Sequence, residues 1–147
     1  MKLSTKGRYG LRAVVDIAVF SNGDLITINS IAERQKISAN YLEQVFSALR
    51  KSGIVKSVKG SQGGYILAKH PSEITIGEVI RVLEGEITIV DEKKSSQDEG
   101  PIQTIIRTKV WEKIDIELNQ IFNSITISQL VDDYTKFTQK DNIMFYI

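Results

Sequence analysis

The side chains best suited to chemistry in this 147-residue chain lie on one polar helical face between residues 38 and 51. They do not include a nucleophile with a neighbouring base. The chain has no cysteine, which excludes thiol catalysis, disulfides and thiolate metal sites. Its single histidine, His70, precedes a proline and is predicted to be an exposed loop residue. The glycines at 60–64 lie between two predicted strands, at the wrong spacing for a nucleotide-binding loop, so the pattern does not favour an enzyme.

The polar face instead carries groups that can recognise DNA. Asn and Gln side chains can pair with adenine, Glu can accept a hydrogen bond from cytosine, and Ser can donate or accept. The candidate DNA-binding residues are Ser38, Asn40, Tyr41, Glu43, Gln44, Ser47 and Lys51. Cationic side chains nearby would contact phosphates and so fix the register on the duplex. The candidate phosphate or wing contacts are Lys6, Arg8, Lys56 and Lys59. The alternative that Glu43 and Gln44 belong to a solvated helix face stays open.

Charge is unevenly distributed along the chain. Residues 1–69 carry eleven Lys and Arg against four Asp and Glu, whereas residues 70–147 carry eight against fourteen. A positive half attracts phosphate and steers association with nucleic acid. The first half is therefore the predicted DNA-binding surface, and the acidic second half is a poor one.

The elements that would position these residues form a helix-turn-helix followed by a β-hairpin. Apolar spacing and caps predict two short helices within residues 28–51, with Lys36 in the turn and Ser38 as the cap of the second helix. Strands are predicted at Ile54–Val58 and Tyr65–Leu67, joined by a glycine-rich turn. This order of elements is typical of a winged helix-turn-helix, which places one helix in a DNA major groove.

An earlier helix is predicted from Ser4 or Thr5 to about Phe20. Cations near its start oppose the helix dipole, so a nearby anion such as phosphate would account for them. The sequence Thr75–Glu78 matches a capping box that opens a fourth helix. The polar stretch Asp91–Pro101 predicts a loop.

A long helix is predicted from about Ile102 to Asn123, and a last helix follows a second capping box at 126–129. Apolar residues spaced 3, 4, 3 and 4 apart form the seam of a short coiled coil, which predicts dimerisation. This seam comprises Trp111, Ile114, Leu118, Ile121 and Ile125. The predicted fold is mainly α with a small β-hairpin wing. We divide it into a winged domain (1–90), a loop (91–101), and a dimerisation helix with a short last helix and apolar tail (102–147).

Several motifs together resemble the family of winged helix-turn-helix repressors that includes CymR and IscR. They are the opening Met1–Leu11, the tetrapeptide Tyr41–Gln44, the hairpin Gly60–Tyr65 and the segment Ile80–Gly85. The resemblance spans the chain. It implies a two-fold dimer on a near-palindromic operator in double-stranded DNA, with residues 28–51 as the DNA-binding motif. It also places Lys59 on the wing, where other members usually carry arginine.

Many members of this family bind an iron–sulfur cluster through three cysteines in the loop after the fourth helix. Here that loop spans about residues 89–104 and contains no cysteine, so we expect no cofactor. The cluster-free members that regulate cysteine metabolism are the most similar, and they form a complex with cysteine synthase. The resemblance therefore implies cysteine synthase as a possible partner, with Phe145, Tyr146 and Ile147 as the docking residues. The alternative is that this tail packs on its own dimer.

The function predicted from the sequence is a dimeric, cytoplasmic repressor of cysteine or sulfur metabolism genes without an iron–sulfur cluster. No apolar run approaches the roughly 20 residues of a membrane helix, so no membrane role is expected. Two alternatives stay open. One is a repressor of the same family with a different regulon, and the other is a protein-interaction adaptor that keeps the winged fold but does not bind DNA.

Overall fold

The computed structural model describes residues 2–61, 63–91 and 98–145, with the backbone alone for 142–145. The helices are α1 (Thr5–Phe20), α2 (Ile28–Gln35), α3 (Ala39–Lys51), α4 (Ile76–Glu84), α5 (Pro101–Ile106), α6 (Glu112–Ser124) and α7 (Ile127–Phe145). The strands are β1 (Val55–Val58) and β2 (Gly64–Leu67). A 3-10 turn spans Pro71–Glu73, and a π-helical turn, Arg107–Trp111, joins α5 to α6. The predicted fold class, mainly α with an antiparallel hairpin, is confirmed.

The core lies where α1 packs against α2, α3, α4 and α7. Its members are apolar side chains spaced three or four residues apart, so each helix turns one apolar stripe inward. The largest fully buried side chains in α1 to α3 are Phe46, Ile17, Ile31, Leu42 and Leu49. Burial of this stripe on α3 leaves its opposite face free.

The starts of α3 and α4 follow the caps predicted from the sequence, and Thr27 caps α2 in the same way, whereas Ser4 at the start of α1 forms no capping bond through its side chain. Thr27, Ser38 and Thr75 each accept a hydrogen bond from the backbone N–H three residues later, at 3.1, 3.4 and 3.1 Å. At the start of α7, Thr126 and Gln129 form both bonds of a capping box, at 3.0 and 3.2 Å. These local bonds satisfy N–H groups that have no partner inside the helix.

The start of α1 is stabilised by a residue distant in sequence. Glu84, the last residue of α4, accepts hydrogen bonds through Oε1 from the backbone N–H groups of Ser4 at 2.9 Å and Gly7 at 3.0 Å. The anion at this positive helix end is therefore an internal carboxylate. Gly7 and Gly10 permit the close approach, since a Cβ at either would collide with Glu84 or Leu83.

Residues 101–124 form one uninterrupted helical segment, α5 to α6, close to the prediction. Arg107, the first residue of its π-helical turn, bonds Glu99 through Nε at 2.7 Å and Glu112 through Nη1 at 2.6 Å. The hydrogen bond from Arg107 lowers the pKa of the Glu99 carboxyl. The end of the preceding loop is thereby held on the helix.

The long helical segment returns directly to the winged domain. The backbone N–H of Ile76 donates to the carbonyl of Ile125 at 2.9 Å, and that of Ile127 donates to the carbonyl of Ile74 at 2.8 Å. These two bonds join the chain before α4 to the chain between α6 and α7. From there α7 packs back against α1. The prediction of a short last helix was wrong, because α7 spans 19 residues. In the described part of the chain, no helix is both long and apolar enough to cross a bilayer.

Candidate nucleic-acid interface

The turn between α2 and α3 has the geometry of a helix-turn-helix. Lys36 adopts the left-handed conformation, with φ 55° and ψ 48°, as its predicted position in the turn requires. The N–H of Ile37 donates to the carbonyl of Ala32 at 3.1 Å, which closes the end of α2. Lysine has a side chain that glycine lacks, so this conformation is less favourable here than with the glycine common at such turns.

An ion pair between the partly exposed Arg34 and the buried Asp16 fixes this motif to α1. The Asp16 side chain is fully buried, and its two oxygens accept hydrogen bonds from Arg34 Nε at 2.9 Å and Nη2 at 2.6 Å. Gln35 Nε2 donates to the same carboxylate at 2.9 Å. The Arg34 guanidinium also lies 4.5 Å from the centre of the Phe20 ring, and its bond to Asp16 raises the Arg34 pKa. This set, Asp16, Arg34 and Gln35, is called the α1–α2 clamp below.

The α1–α2 clamp was not predicted from the sequence. The available signal was a carboxylate, Asp16, inside the otherwise apolar face of α1, because a buried carboxylate needs a cationic or hydrogen-bonded partner. Which cation pairs with Asp16 depends on the angle at which α1 and α2 cross. That crossing is a tertiary property.

The start of α3 is also connected to α1. Tyr41 packs edge-on against Tyr9, with ring centres 6.0 Å apart. Arg12 lies over the same Tyr9 ring at 5.1 Å and donates to the carbonyl of Gln35, directly before the turn. Tyr41 is therefore half-buried and contributes to packing as well as to the candidate DNA surface.

The outward face of α3 carries most of the predicted base-contacting groups. Asn40, Glu43 and Gln44 are exposed, while Ser47 is half-buried. Ser38 is the N-cap, so its hydroxyl oxygen already accepts one bond. Lys51 is exposed at the C-terminal end of the helix. The exposed polar side chains of α3 are therefore accessible from solvent, and their role in DNA binding stays a prediction.

The hairpin stands beside α3 with its cations outward. Strands β1 and β2 pair antiparallel, with Val55 opposite Leu67 and Val58 opposite Gly64. Lys56 and Lys59 are exposed on it. The remaining predicted phosphate contacts, Lys6 and Arg8, are exposed in the first turn of α1.

The base of the wing is attached to the domain by β2. Tyr65 exchanges two backbone hydrogen bonds with Ile26, at 2.8 and 2.7 Å, and its ring packs on Phe46 of α3 at 4.7 Å. A side chain at Gly64 would collide with the Ile26 carbonyl, so glycine permits this approach. The wing and α3 are thus held together by a shared aromatic contact.

The long helical segment presents a second exposed surface, and it is apolar. Of the predicted seam, Ile114 and Ile121 are exposed, whereas Trp111, Leu118 and Ile125 are half-buried. Further exposed apolar residues widen this surface beyond the seam: Ile102, Ile105, Ile106, Val110 and Ile116. These five residues with Ile114 and Ile121 are called the apolar surface of α5–α6. The predicted docking residues Tyr146 and Ile147 lie outside the described residues, as does the side chain of Phe145.

These features define a winged helix-turn-helix DNA-binding protein. Residues 3–133 match the Rrf2 family model, described as an iron-dependent transcriptional regulator. The chain belongs to the Rrf2 family, which confirms the resemblance found in the sequence. It is a transcriptional regulator, and the relatives compared with it are named as regulators and not as enzymes.

Two named relatives and one solved structure illustrate the similarity. The regulator CymR of Bacillus subtilis is 40% identical over 147 residues, which is 100% of both chains. The regulator IscR of Serratia proteamaculans is 37% identical over 133 residues, covering 90% of this chain and 80% of that one. The structure of CymR, described as the global cysteine regulator of B. subtilis, superposes with a TM-score of 0.76 at 38% identity, covering 90% and 97% of the two chains.

The family description mentions iron, so we tested whether this chain offers ligands for it. The chain has no cysteine. Its one histidine caps the 3-10 turn, since His70 Nδ1 accepts the N–H of Ser72 at 3.1 Å. Glu99, in the loop after α4, is paired with Arg107. Within the described ranges, no group of three or more His, Cys, Asp or Glu side chains could hold a metal ion. The residues do not fit an iron–sulfur cluster.

Proposed function

We propose that this protein is a dimeric repressor of cysteine or sulfur metabolism genes that acts without an iron–sulfur cluster. The observation that carries the proposal is the exposed face of α3, where Asn40, Glu43 and Gln44 lie together beside a basic hairpin. The regulon is proposed from the similarity to CymR, which spans the full length of both chains.

Dimerisation is proposed from the apolar surface of α5–α6. Ile102 is 75% exposed and Ile121 is 55% exposed, and leaving several such side chains in water is unfavourable. Pairing two copies through this surface would present two α3 helices to one duplex. Their separation would be about one helical turn of DNA, roughly 34 Å, or a multiple of it. A near-palindromic operator is the matching DNA sequence.

In this proposal α3 reads bases and the wing holds phosphates. Gln44 can pair with adenine and Glu43 can accept from cytosine. The Glu43 carboxylate lowers non-specific affinity for the phosphate backbone, which favours selective binding. Lys56 and Lys59 carry charge without the planar fork of arginine, so they contribute affinity more than specificity.

The proposal is tested by selecting bound sequences from a random DNA pool and then comparing Gln44→Ala with Lys56→Ala. We expect Gln44→Ala to reduce discrimination between matched and scrambled operators by about 1–3 kcal/mol. Lys56→Ala is expected to weaken both duplexes alike and to lower the salt slope by about one. The measurement is the dissociation constant at several salt concentrations. Identical behaviour of the two variants would contradict this division of roles. If the wild-type protein does not bind duplex at low salt, the adaptor function would be favoured instead.

Cysteine synthase is proposed as a protein partner, through the tail that includes Phe145, Tyr146 and Ile147. The support is the resemblance to the cluster-free regulators of cysteine metabolism. We expect deletion of residues 145–147 to abolish binding to purified cysteine synthase, measured by calorimetry, while operator affinity without the enzyme stays unchanged. The variant Gln139→Ala, on an exposed position of α7, is the control. Full binding by the truncated protein would exclude the tail as the docking segment.

A further inference from the structure

The inward face of α6 contacts the winged domain through directional hydrogen bonds. Asp115 and Asn119, one helical turn apart, both face the segment that follows α4. Asp115 Oδ1 accepts the backbone N–H of Ile89 at 2.9 Å. Asn119 Nδ2 donates to the backbone carbonyl of Ile87 at 3.0 Å. These bonds hold α6 at two successive turns.

A third contact joins α6 to α4 itself. Arg81 Nη2 donates to Asn119 Oδ1 at 2.7 Å, so both ends of this amide are bonded to the winged domain. One turn earlier on α4, a Cβ at Gly77 would lie 3.0 Å from the carbonyl oxygen of Phe122. The helices therefore approach closely at this end. Arg81, Asp115 and Asn119 are called the α4–α6 network.

Directional bonds restrict a helix differently from apolar contacts. Apolar surfaces can slide or rotate past one another at small cost, whereas each hydrogen bond requires its own distance and angle. Satisfied polar networks of low exposure therefore specify one arrangement of the elements they join. Three such bonds to one face of α6 fix both its rotation about its axis and its position along that axis.

Helix α6 is connected to α3 through the buried core side chains of α4. The side chains of Val79, Ile80 and Leu83 on α4 are buried, and α4 packs against α1 and α3. On the opposite side, α6 carries exposed apolar residues of the surface proposed for dimerisation. The angle between α6 and α4 therefore determines how a partner copy is oriented relative to α3.

We propose that the α4–α6 network determines which operator spacing the dimer accepts. Arg81, Asp115 and Asn119 act as positioning residues, since their partners are groups of the protein. The inference rests on the dimer proposed above. A change of one base pair between half-sites moves them by about 3.4 Å and rotates them by about 35°. If the angle between α6 and α4 is fixed, the dimer cannot bind both half-sites at the altered spacing. If the angle can vary, the dimer can bind them.

The test uses the full chain and the operator obtained by selection, with one base pair added or removed at its centre. For the wild type we expect each altered spacing to weaken binding by about 10-fold or more, comparable to one mismatched base pair. Asn119→Ala removes two bonds of the network, and Arg81→Met removes one. In both variants we expect altered spacing to weaken binding only about twofold relative to the original spacing. Affinity for an isolated half-site should stay unchanged.

The matched control is Gln120→Ala, an exposed amide next to Asn119 on the same helix. It should keep the wild-type spacing preference. Circular dichroism and thermal unfolding of each variant establish that it is folded, and Arg81→Met supplies a second variant if Asn119→Ala does not fold.

Four outcomes are distinguishable. A narrowed spacing preference with intact half-site affinity supports the inference. An unchanged preference in both variants overturns it, because the angle is then fixed elsewhere. An equal loss of affinity at all spacings also overturns it, since the network would serve stability alone. A wild-type protein indifferent to spacing would contradict the proposed dimer itself, and the inference with it.

Discussion

Replacing Asp16 with alanine is expected to lower the free energy of unfolding by about 3 kcal/mol, the lower end of the cost of breaking a buried ion pair. The lower end applies because Arg34, left without its carboxylate, is 31% exposed and can be partly solvated by water. Urea unfolding followed by circular dichroism measures the effect. The matched control is Asp24→Ala in the exposed turn after α1, for which we expect a change within about 0.5 kcal/mol.

Replacing the other partner, Arg34, distinguishes an ion pair from simple packing. Arg34→Met leaves the fully buried Asp16 carboxylate with Gln35 as its remaining side-chain partner. A stranded buried charge is more costly than a stranded exposed one, so Arg34→Met should destabilise more than Asp16→Ala. The α1–α2 clamp also holds the helix-turn-helix, so both variants should lose operator affinity as they lose stability. A destabilisation by Asp16→Ala no larger than that of Asp24→Ala would show that the clamp does not stabilise the fold.

The second large effect is expected at the apolar surface of α5–α6. Ile121→Glu places a charge within the proposed dimer contact, which should convert the protein to monomers and weaken operator binding by about 100-fold through loss of the second half-site. Half-site affinity should stay unchanged. Analytical ultracentrifugation and titration with both duplexes provide the measurements.

The matched control for this effect is Gln120→Glu, which adds the same charge to the adjacent exposed position of α6. It should remain dimeric, because residue 120 does not belong to the apolar surface. Dimers of unchanged stability for Ile121→Glu would exclude this surface as the interface.

Local features of the fold were accessible from the sequence. The caps Thr27, Ser38 and Thr75 each bond the backbone N–H three residues later. Because both partners lie within four residues, a short sequence pattern is enough to predict such a cap. The position of Lys36 in the turn was also predicted, because the apolar spacing of α2 and α3 leaves only a short turn between them. Short-range patterns thus sufficed for the polar face of α3.

Contacts between distant segments were not accessible in this way. Glu84 bonds Ser4 and Gly7, about 80 residues earlier, and no local pattern indicates that pairing. The coiled-coil seam illustrates a second limit. Helical spacing groups Leu118 with Ile121, yet it does not distinguish a side chain that packs on its own domain from one that faces solvent. The division into a winged domain, a loop and a dimerisation region stays a prediction.

The two backbone bonds that join residues 74–76 to residues 125–127 have an evolutionary consequence. They hold the C-terminal end of the long helix against the start of α4, and they do not involve the loop that precedes α5. Insertions, deletions or substitutions in that loop are therefore expected to be tolerated, because the helix keeps its attachment at the other end. A lineage could gain or lose ligands there without rebuilding its DNA-binding surface. Within one architecture, sensing and DNA recognition can diverge separately.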